Sequence, residues 1–360
     1  MRHLLQILPT APGPCDGVAD YALNAARGLR AHYGIETTFA VHQPTSASAI
    51  DAFPIVSLHD SSAKRGDWES RVLHYVNYGF ERRGIPFWLP SFLRNNDMPL
   101  LTIFHELFAS GPPWRSEFWL RPFQKKIARE IALLSCARLV SSETMARLLS
   151  DLVGLAPVAI RPVPSTLGEP KFSSDELSQR DPKAWAIFGG TQSIERSFSS
   201  FAKIFPRLPA AIRPATLEVL GGVENASLRA RLSALSNIRA QYHPRVSVEE
   251  GSRLLSRCAF LWLDYFGGRA VPGDVILKSS AFASACAHGV VPIFAQKISA
   301  ITHNGARFPG PFYVDAEAMK LPDADANDAV YQWYQTHATI SGLAETIAHA
   351  LVAPSMETNH

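Results

Sequence analysis

Short apolar runs alternate with amphipathic segments along most of this chain, and the alternation stops only once. Residues 1–165 hold the strand candidates "HLLQIL", "TTFAVH", "FPIVSLH", "VLHYVNY", "LLTIFHE", "ARLVSS" and "VAIRPV". The helix after the first strand sets Val18, Tyr21, Ala22, Ala25 and Leu29 on one face, the spacing of a half-buried helix. Strands that alternate with helices build a parallel sheet covered on both faces, because each crossover lays a helix on the sheet.

The break is "PVPSTLGEPKFSSDELSQRDPK", 162–183, rich in Pro, Ser and charge and without periodicity. It reads as an interdomain linker. The alternation then restarts with the strands "AWAIFGG", "ATLEVLGG", "IRAQYHP", "AFLWLDYF" and "VVPIFA" and helices between them. Ser247 is placed to cap one of these helices, with Glu250 in capping-box position. The expected organisation is α/β, two Rossmann-like doubly wound domains facing a central cleft. The boundaries are 1–165, a linker at 166–183, a second domain at 184–325, and terminal helices at 326–360 that can cross back onto the first domain. Ligands of such sheets bind at the carboxyl ends of the strands, so the cleft is the expected site.

Composition narrows the function classes. The chain has 360 residues, 47% hydrophobic and 19% charged, as an ordinary globular protein has. Its net charge of +3 lies in residues 1–165 and is too small to argue for nucleic acid. Four cysteines, Cys15, Cys136, Cys258 and Cys286, form no CxxC pair, which suits buried thiols in a reducing compartment. No apolar stretch is long enough to span a bilayer. The expected location is cytoplasmic. The basic, aromatic "FWLRPFQKKIARE" leaves open a peripheral contact with the inner face of a membrane.

Four stretches carry candidate chemistry. In "PCDGVADYA" a turn with Asp16 and Gly17 opens onto a helix N-terminus, a place for an anion or a sugar or simply a turn. In "FGGTQSIERSF" a strand ends in glycines and Arg196 can reach back over the loop. In "VPGDVILKSSAFASACAHG" Asp274 precedes Lys278, Ser279 and Ser280 at a helix start. A cation, two hydroxyls and free N–H groups there suit a diphosphate. In "LTIFHELF" His105 and Glu106 end an apolar strand, where an imidazole can hydrogen-bond a substrate hydroxyl. Neither glycine loop has the spacing of GxGxxG or GxxxxGK[ST], and neither GxSxG nor HExxH occurs. "DADAND", 323–328, is read as a solvated loop rather than a metal site.

The order of these pieces resembles a GT-B glycosyltransferase of the retaining family-4 type, over nearly the whole chain. "DGVADYALNAARGLR" matches the first loop and helix, and "TIFHE" the strand ending in His. "IFGGTQSIERS" matches the donor-diphosphate loop loosely, with Gly190 where an Arg is usual and Arg196 where a Lys is usual. "YHPRVSVEEGSRLLSRCAFLWLDYF" resembles the stretch beside the nucleotide base. The donor helix departs from the pattern. Aligned on "AHG", Ser284 and Ile276 stand where the family carries two glutamates, and "LKSSAFASACAHG" is nearer a branch with a basic pair and hydroxyls.

The resemblance implies transfer of a hexosyl group from a nucleotide-diphosphate sugar to a carbohydrate or glycoconjugate, with retention, as in polysaccharide biosynthesis. Gly17, Arg196, Lys278, Ser279 and Ser280 would bind the diphosphate, and His105 would be catalytic. Asp16, Glu106 and Asp274 would line the donor-sugar or acceptor cleft. The implied site uses no metal and no cofactor beyond the donor. A catalytically inactive nucleotide-sugar- or glycan-binding partner subunit is the alternative that the missing glutamates keep open.

Overall fold

The computed structural model describes residues 2–13, 17–60, 67–109, 114, 116–154, 158–268, 270–314 and 321–352. Asp16 lies outside them. The chain divides into two compact units, Met1–Arg161 with Ile340–His360, and Pro162–Thr339.

The first unit is built on β1 (His3–Leu8), β2 (Glu36–Val41), β3 (Ala49–Ile50), β4 (Phe53–Ser57), β5 (Ser70–Tyr75), β6 (Leu100–Phe104), β7 (Ala137–Val140) and β8 (Ala159–Ile160). Their order is β3-β4-β2-β1-β5-β6-β7-β8, and every pair is parallel except β3 with β4. The chain leaves β1 toward β2 and β4, then returns to the other side of β1 with β5. That reversal is a topological switch point. Strands β1, β2 and β5 are buried along five consecutive residues, which requires helices on both faces. Among the described residues, the helices preceding residue 162 are α1 (Gly17–Tyr33), α2 (Asn77–Phe80), α3 (Trp88–Arg94), α4 (Ser116–Leu134) and α5 (Glu143–Val153). Four of the five apolar marks on α1, Tyr21, Ala22, Ala25 and Leu29, are buried.

The second unit carries β9 (Ala184–Phe188), β10 (Thr216–Leu220), β11 (Arg239–His243), β12 (Phe260–Leu263) and β13 (Val291–Phe294). A small ribbon follows, β14 (Thr302–His303) with β15 (Ala306–Arg307), and then β16 (Phe312–Tyr313). Six strands form one parallel sheet ordered β11-β10-β9-β12-β13-β16, with its switch point between β9 and β12. Stacked Trp185 and Trp262, with Phe201 and Phe260 around them, centre the core. The helices of this unit are α6 (Ser174–Ser178), α7 (Thr191–Ile204), α8 (Ala226–Ser233), α9 (Val248–Leu255), α10 (Ser280–Ala287) and α11 (Asp325–His337).

Local chemistry sets several ends differently from the sequence pattern. The full capping box is at Ser173 and Glu176, inside the stretch that composition marks as linker, and it starts α6, whose Leu177 is buried. Ser247 does cap α9 by accepting from Glu250 N–H, but the Glu250 carboxylate is taken by Arg253. The helix holding "LKSSAFASACA" begins only at Ser280, because Ser279 accepts from Phe282 N–H and ends a 3-10 turn, Gly273–Lys278.

The last helix, α12 (Ile340–Val352), belongs to the first unit. It crosses α1 at Gly28, where an added Cβ would stand 2.9 Å from Ile340 Cγ2 and 3.1 Å from Ala344 Cβ.

Candidate functional site

In the second unit the chemistry-bearing residues gather at the carboxyl end of the sheet, around the β9–β12 switch point. Strand β9 runs into Gly189, whose φ of 149° is closed to other residues, and Gly190 leads into α7. Strand β10 ends in Gly221, and a Cβ on it would lie 2.5 Å from the Gly189 carbonyl oxygen. The two turns therefore touch backbone to backbone. The Gly189 turn also borders the start of α10, since a Cβ on Gly189 would lie 3.9 Å from Ala281 Cβ. Two glycine-bearing motifs, far apart in sequence, thus meet. Thr191 secures the arrangement by accepting from Val223 N–H at 3.1 Å.

Arg196 projects from α7 and donates through Nε to the Asp264 carbonyl just past β12. The Asp264 N–H in turn donates to Ser197 Oγ at 3.0 Å, so the loop after β12 is tied to α7 from both sides. Arg196 is exposed, beside Gly267 in the loop after β12, and its other guanidinium N–H groups remain available as donors. Lys278 is half-buried at the end of the 3-10 turn, with no ion pair among the described residues. Ser279 spends its oxygen lone pair on the α10 cap, which leaves its O–H as a donor. Ser280 opens α10, where the first N–H groups have no intrahelical partner. Asp274 is buried within the 3-10 turn.

The two positions that stand where the resemblance puts paired glutamates are both interior. Ile276 and Ser284 have no exposure, and Ser284 Oγ accepts from Thr166 N–H at 3.1 Å and lies 3.2 Å from Ser165 Oγ. Here that part of the helix binds its own chain. His288 is equally buried. Its Nδ1 lies 2.7 Å from the Ser284 carbonyl and its Nε2 2.8 Å from Ser252 Oγ. A carbonyl only accepts, so Nδ1 holds the proton and Nε2 accepts from Ser252. Burial pushes its pKa down to about 4.

In the first unit His105 follows β6, one residue past its end, beside the β1–β5 switch point. Its Nε2 is 3.1 Å from Nδ1 of His74 on β5, and His74 Nε2 is 2.7 Å from Gln6 Oε1 on β1. Tyr21 of α1 sets its ring edge-on to His105 at 4.8 Å. His74 is wholly buried, and burial with His105 beside it holds its pKa well below the usual histidine value. Glu106 is exposed, and Gly17 begins α1 in open space. At the carboxyl ends of β2 and β5 a cavity of about 290 Å³ is lined by His42, Gln43, Tyr78, Gly79, Phe80, Glu81 and Arg82. His42 stacks on Trp88 at 4.8 Å and pairs with His59 at 3.1 Å.

Sequence reasoning passed over His74, Gln6 and the Asp264 carbonyl. Among the described residues no three His, Cys, Asp or Glu side chains gather as metal ligands would, and no helix is long and apolar enough to cross a membrane.

No family model matches this chain, and neither does any curated protein. Solved structures do. An α-glucosyltransferase in complex with UDP is 13% identical and superposes with a TM-score of 0.59 over 98% of this chain and 99% of its own. WaaG, a glycosyltransferase involved in lipopolysaccharide biosynthesis, is 12% identical with a TM-score of 0.55, over 97% of this chain and 100% of its own. A UDP-glucosyltransferase from Polygonum tinctorium is 11% identical with a TM-score of 0.53, over 98% of this chain and 99% of its own. The fold is GT-B.

Proposed function

We propose that this protein transfers a glycosyl group from a nucleotide-diphosphate sugar to a hydroxyl of a carbohydrate or glycoconjugate, with retention at the anomeric carbon. The observation that carries the reading is the meeting of the Gly189 turn with the start of α10 at the β9–β12 switch point. Two helix N-termini, Lys278 and Arg196 there make a cationic, donor-rich site on rigid elements, which suits a diphosphate. The GT-B fold and a UDP-bound structural neighbour support the same reading.

In the reaction the bond from the anomeric carbon to the diphosphate oxygen breaks, and the acceptor oxygen takes its place. The acceptor proton leaves for a phosphate oxygen. Negative charge grows on the departing diphosphate, and fixed cations and N–H groups aimed at it lower the barrier. Lys278, Arg196 and the Ser279 and Ser280 hydroxyls fill that role in place of a metal. His105, with His74 behind it, contacts the donor sugar. Retention rests on the resemblance of the ordered loops to retaining enzymes, and the cavity at His42 and Tyr78 suits the acceptor.

Calorimetric titration with the diphosphates of uridine, guanosine, adenosine and thymidine tests the donor site, uridine diphosphate first. One base should bind, and Lys278→Ala should weaken it about 10-fold or more, the loss of a charge-assisted hydrogen bond. Binding of none of them, or unchanged affinity in Lys278→Ala, rules the phosphate assignment out. The anomer of the first product, read by NMR, tests retention.

A further inference from the structure

Helix α4 turns two chemically different faces outward and inward. The inner face buries Gln124, Ile127, Ala128, Ile131 and Ala132. The outer face carries Trp119 at 67% exposure, Phe123 at 49% and Leu133 at 50%, with exposed Lys126 and Arg129 among them. Phe87, 60% exposed, adds a ring 6.3 Å from Phe123, and Trp114, 84% exposed, lies just before the helix. A single exposed ring is ordinary, but adjoining exposed rings on one helix face leave water in contact with apolar surface that a partner would cover.

We propose that this face docks the protein on an anionic membrane surface. Two features choose a bilayer over a protein partner. The first is residue type. Trp and Phe sit well at the headgroup boundary, with the ring in the acyl region and any polar edge in water. Lys is depleted from the centres of protein interfaces, yet Lys126 lies between Phe123 and Leu133. The second is charge. Lys126 and Arg129 are exposed on the same face as the rings. Glu130 on the same helix is bound by Arg94 at 3.0 Å. The surplus is positive where an anionic leaflet would meet it.

The helix itself is suited to lying flat. It is amphipathic and too polar to span. Pro122 removes the N–H that would bond the Phe118 carbonyl, so the aromatic first turns can tilt against the remainder. The inference stands apart from the donor reading, since it uses none of the donor-binding residues.

The test is flotation of the full chain with vesicles of phosphatidylcholine alone and of phosphatidylcholine with about one third phosphatidylglycerol. The chain should float with the anionic vesicles and little with the neutral ones. Lys126→Glu should lower the partition coefficient about fivefold, and Trp119→Ser with Phe123→Ser about tenfold or more. These side chains are exposed, so the variants should keep the wild-type melting curve and still bind whichever nucleoside diphosphate the wild type binds. Three outcomes overturn the proposal. They are absence of flotation with either vesicle, equal flotation with both, and flotation untouched in the Ser double variant. A concentration-dependent dimer that the double variant dissociates, without vesicle binding, would assign the patch to a second copy instead.

Discussion

Proton positions on His74 and His105 follow from Gln6. Its Oε1 accepts, so His74 Nε2 donates to it, and His74 Nδ1 is left to accept from His105 Nε2–H. The burial that keeps His74 neutral also keeps that acceptor in place. His74 thus orients His105 without touching substrate in the proposed reaction. His74→Ala should lower kcat about 10-fold while leaving affinity for the nucleoside diphosphate unchanged, since Arg196, Lys278, Ser279 and Ser280, proposed to bind it, belong to the other unit. His74→Gln, whose amide oxygen can accept from His105, should recover part of the loss. Steady-state kinetics of both variants beside diphosphate titrations decide it, and an unaltered kcat in His74→Ala would falsify the role. His105 was legible in the sequence because a polar residue just past an apolar strand stands where sheet ligands bind. His74 was not, since inside "VLHYVNY" a fully buried histidine looks like one more member of the strand. The Arg196 anchor was equally hidden, because a backbone carbonyl 68 residues away leaves no side-chain signature.

Elements were more legible than contacts, for a reason that packing explains. Parallel strands covered on both faces must be apolar throughout, so β1, β6, β9 and β13 announce themselves. Two-residue strands such as β3 and β16 bury too little to impose a pattern, and the 3-10 turn at Gly273–Lys278 mimics the first turn of the helix it precedes. The crossing of α1 with α12 is a third case. Gly28 reads as a helix-weakening residue, yet a Cβ there would run into Ile340 and Ala344. Gly28→Val should therefore destabilise the chain by about 1–3 kcal/mol, because backbone movement must outweigh the gain from losing a helical glycine. Urea unfolding of the full chain measures this. A variant as stable as the wild type would mean that the two helices separate at little cost.

At the scale of the whole molecule, each unit encloses a histidine that burial holds neutral, His74 in the first and His288 in the second. Both have pKa values depressed by burial. An unfolded histidine titrates near 6.5, so on acidification the unfolded chain takes up a proton that the folded chain refuses until about pH 4 at His288. More protons bound when unfolded means stability that rises with pH in that window and is lost as pH falls through it. For His288 the loss between about pH 6.5 and 4 is about 3 kcal/mol, from its shift at 1.36 kcal/mol per pKa unit. Two separate cores allow two transitions rather than one, so a single midpoint would blur the contributions. Thermal unfolding followed by tryptophan emission from pH 7.5 to 4.5 should show both units weakening with acid. His288→Gln removes the titrating group from the second unit alone. It should lower that unit's stability at pH 7, where the bonds to Ser284 and Ser252 are disturbed, and flatten its dependence on pH below 6.5 while leaving the first unit's slope as it was. An unchanged slope in the variant would place the acid sensitivity of the second unit elsewhere.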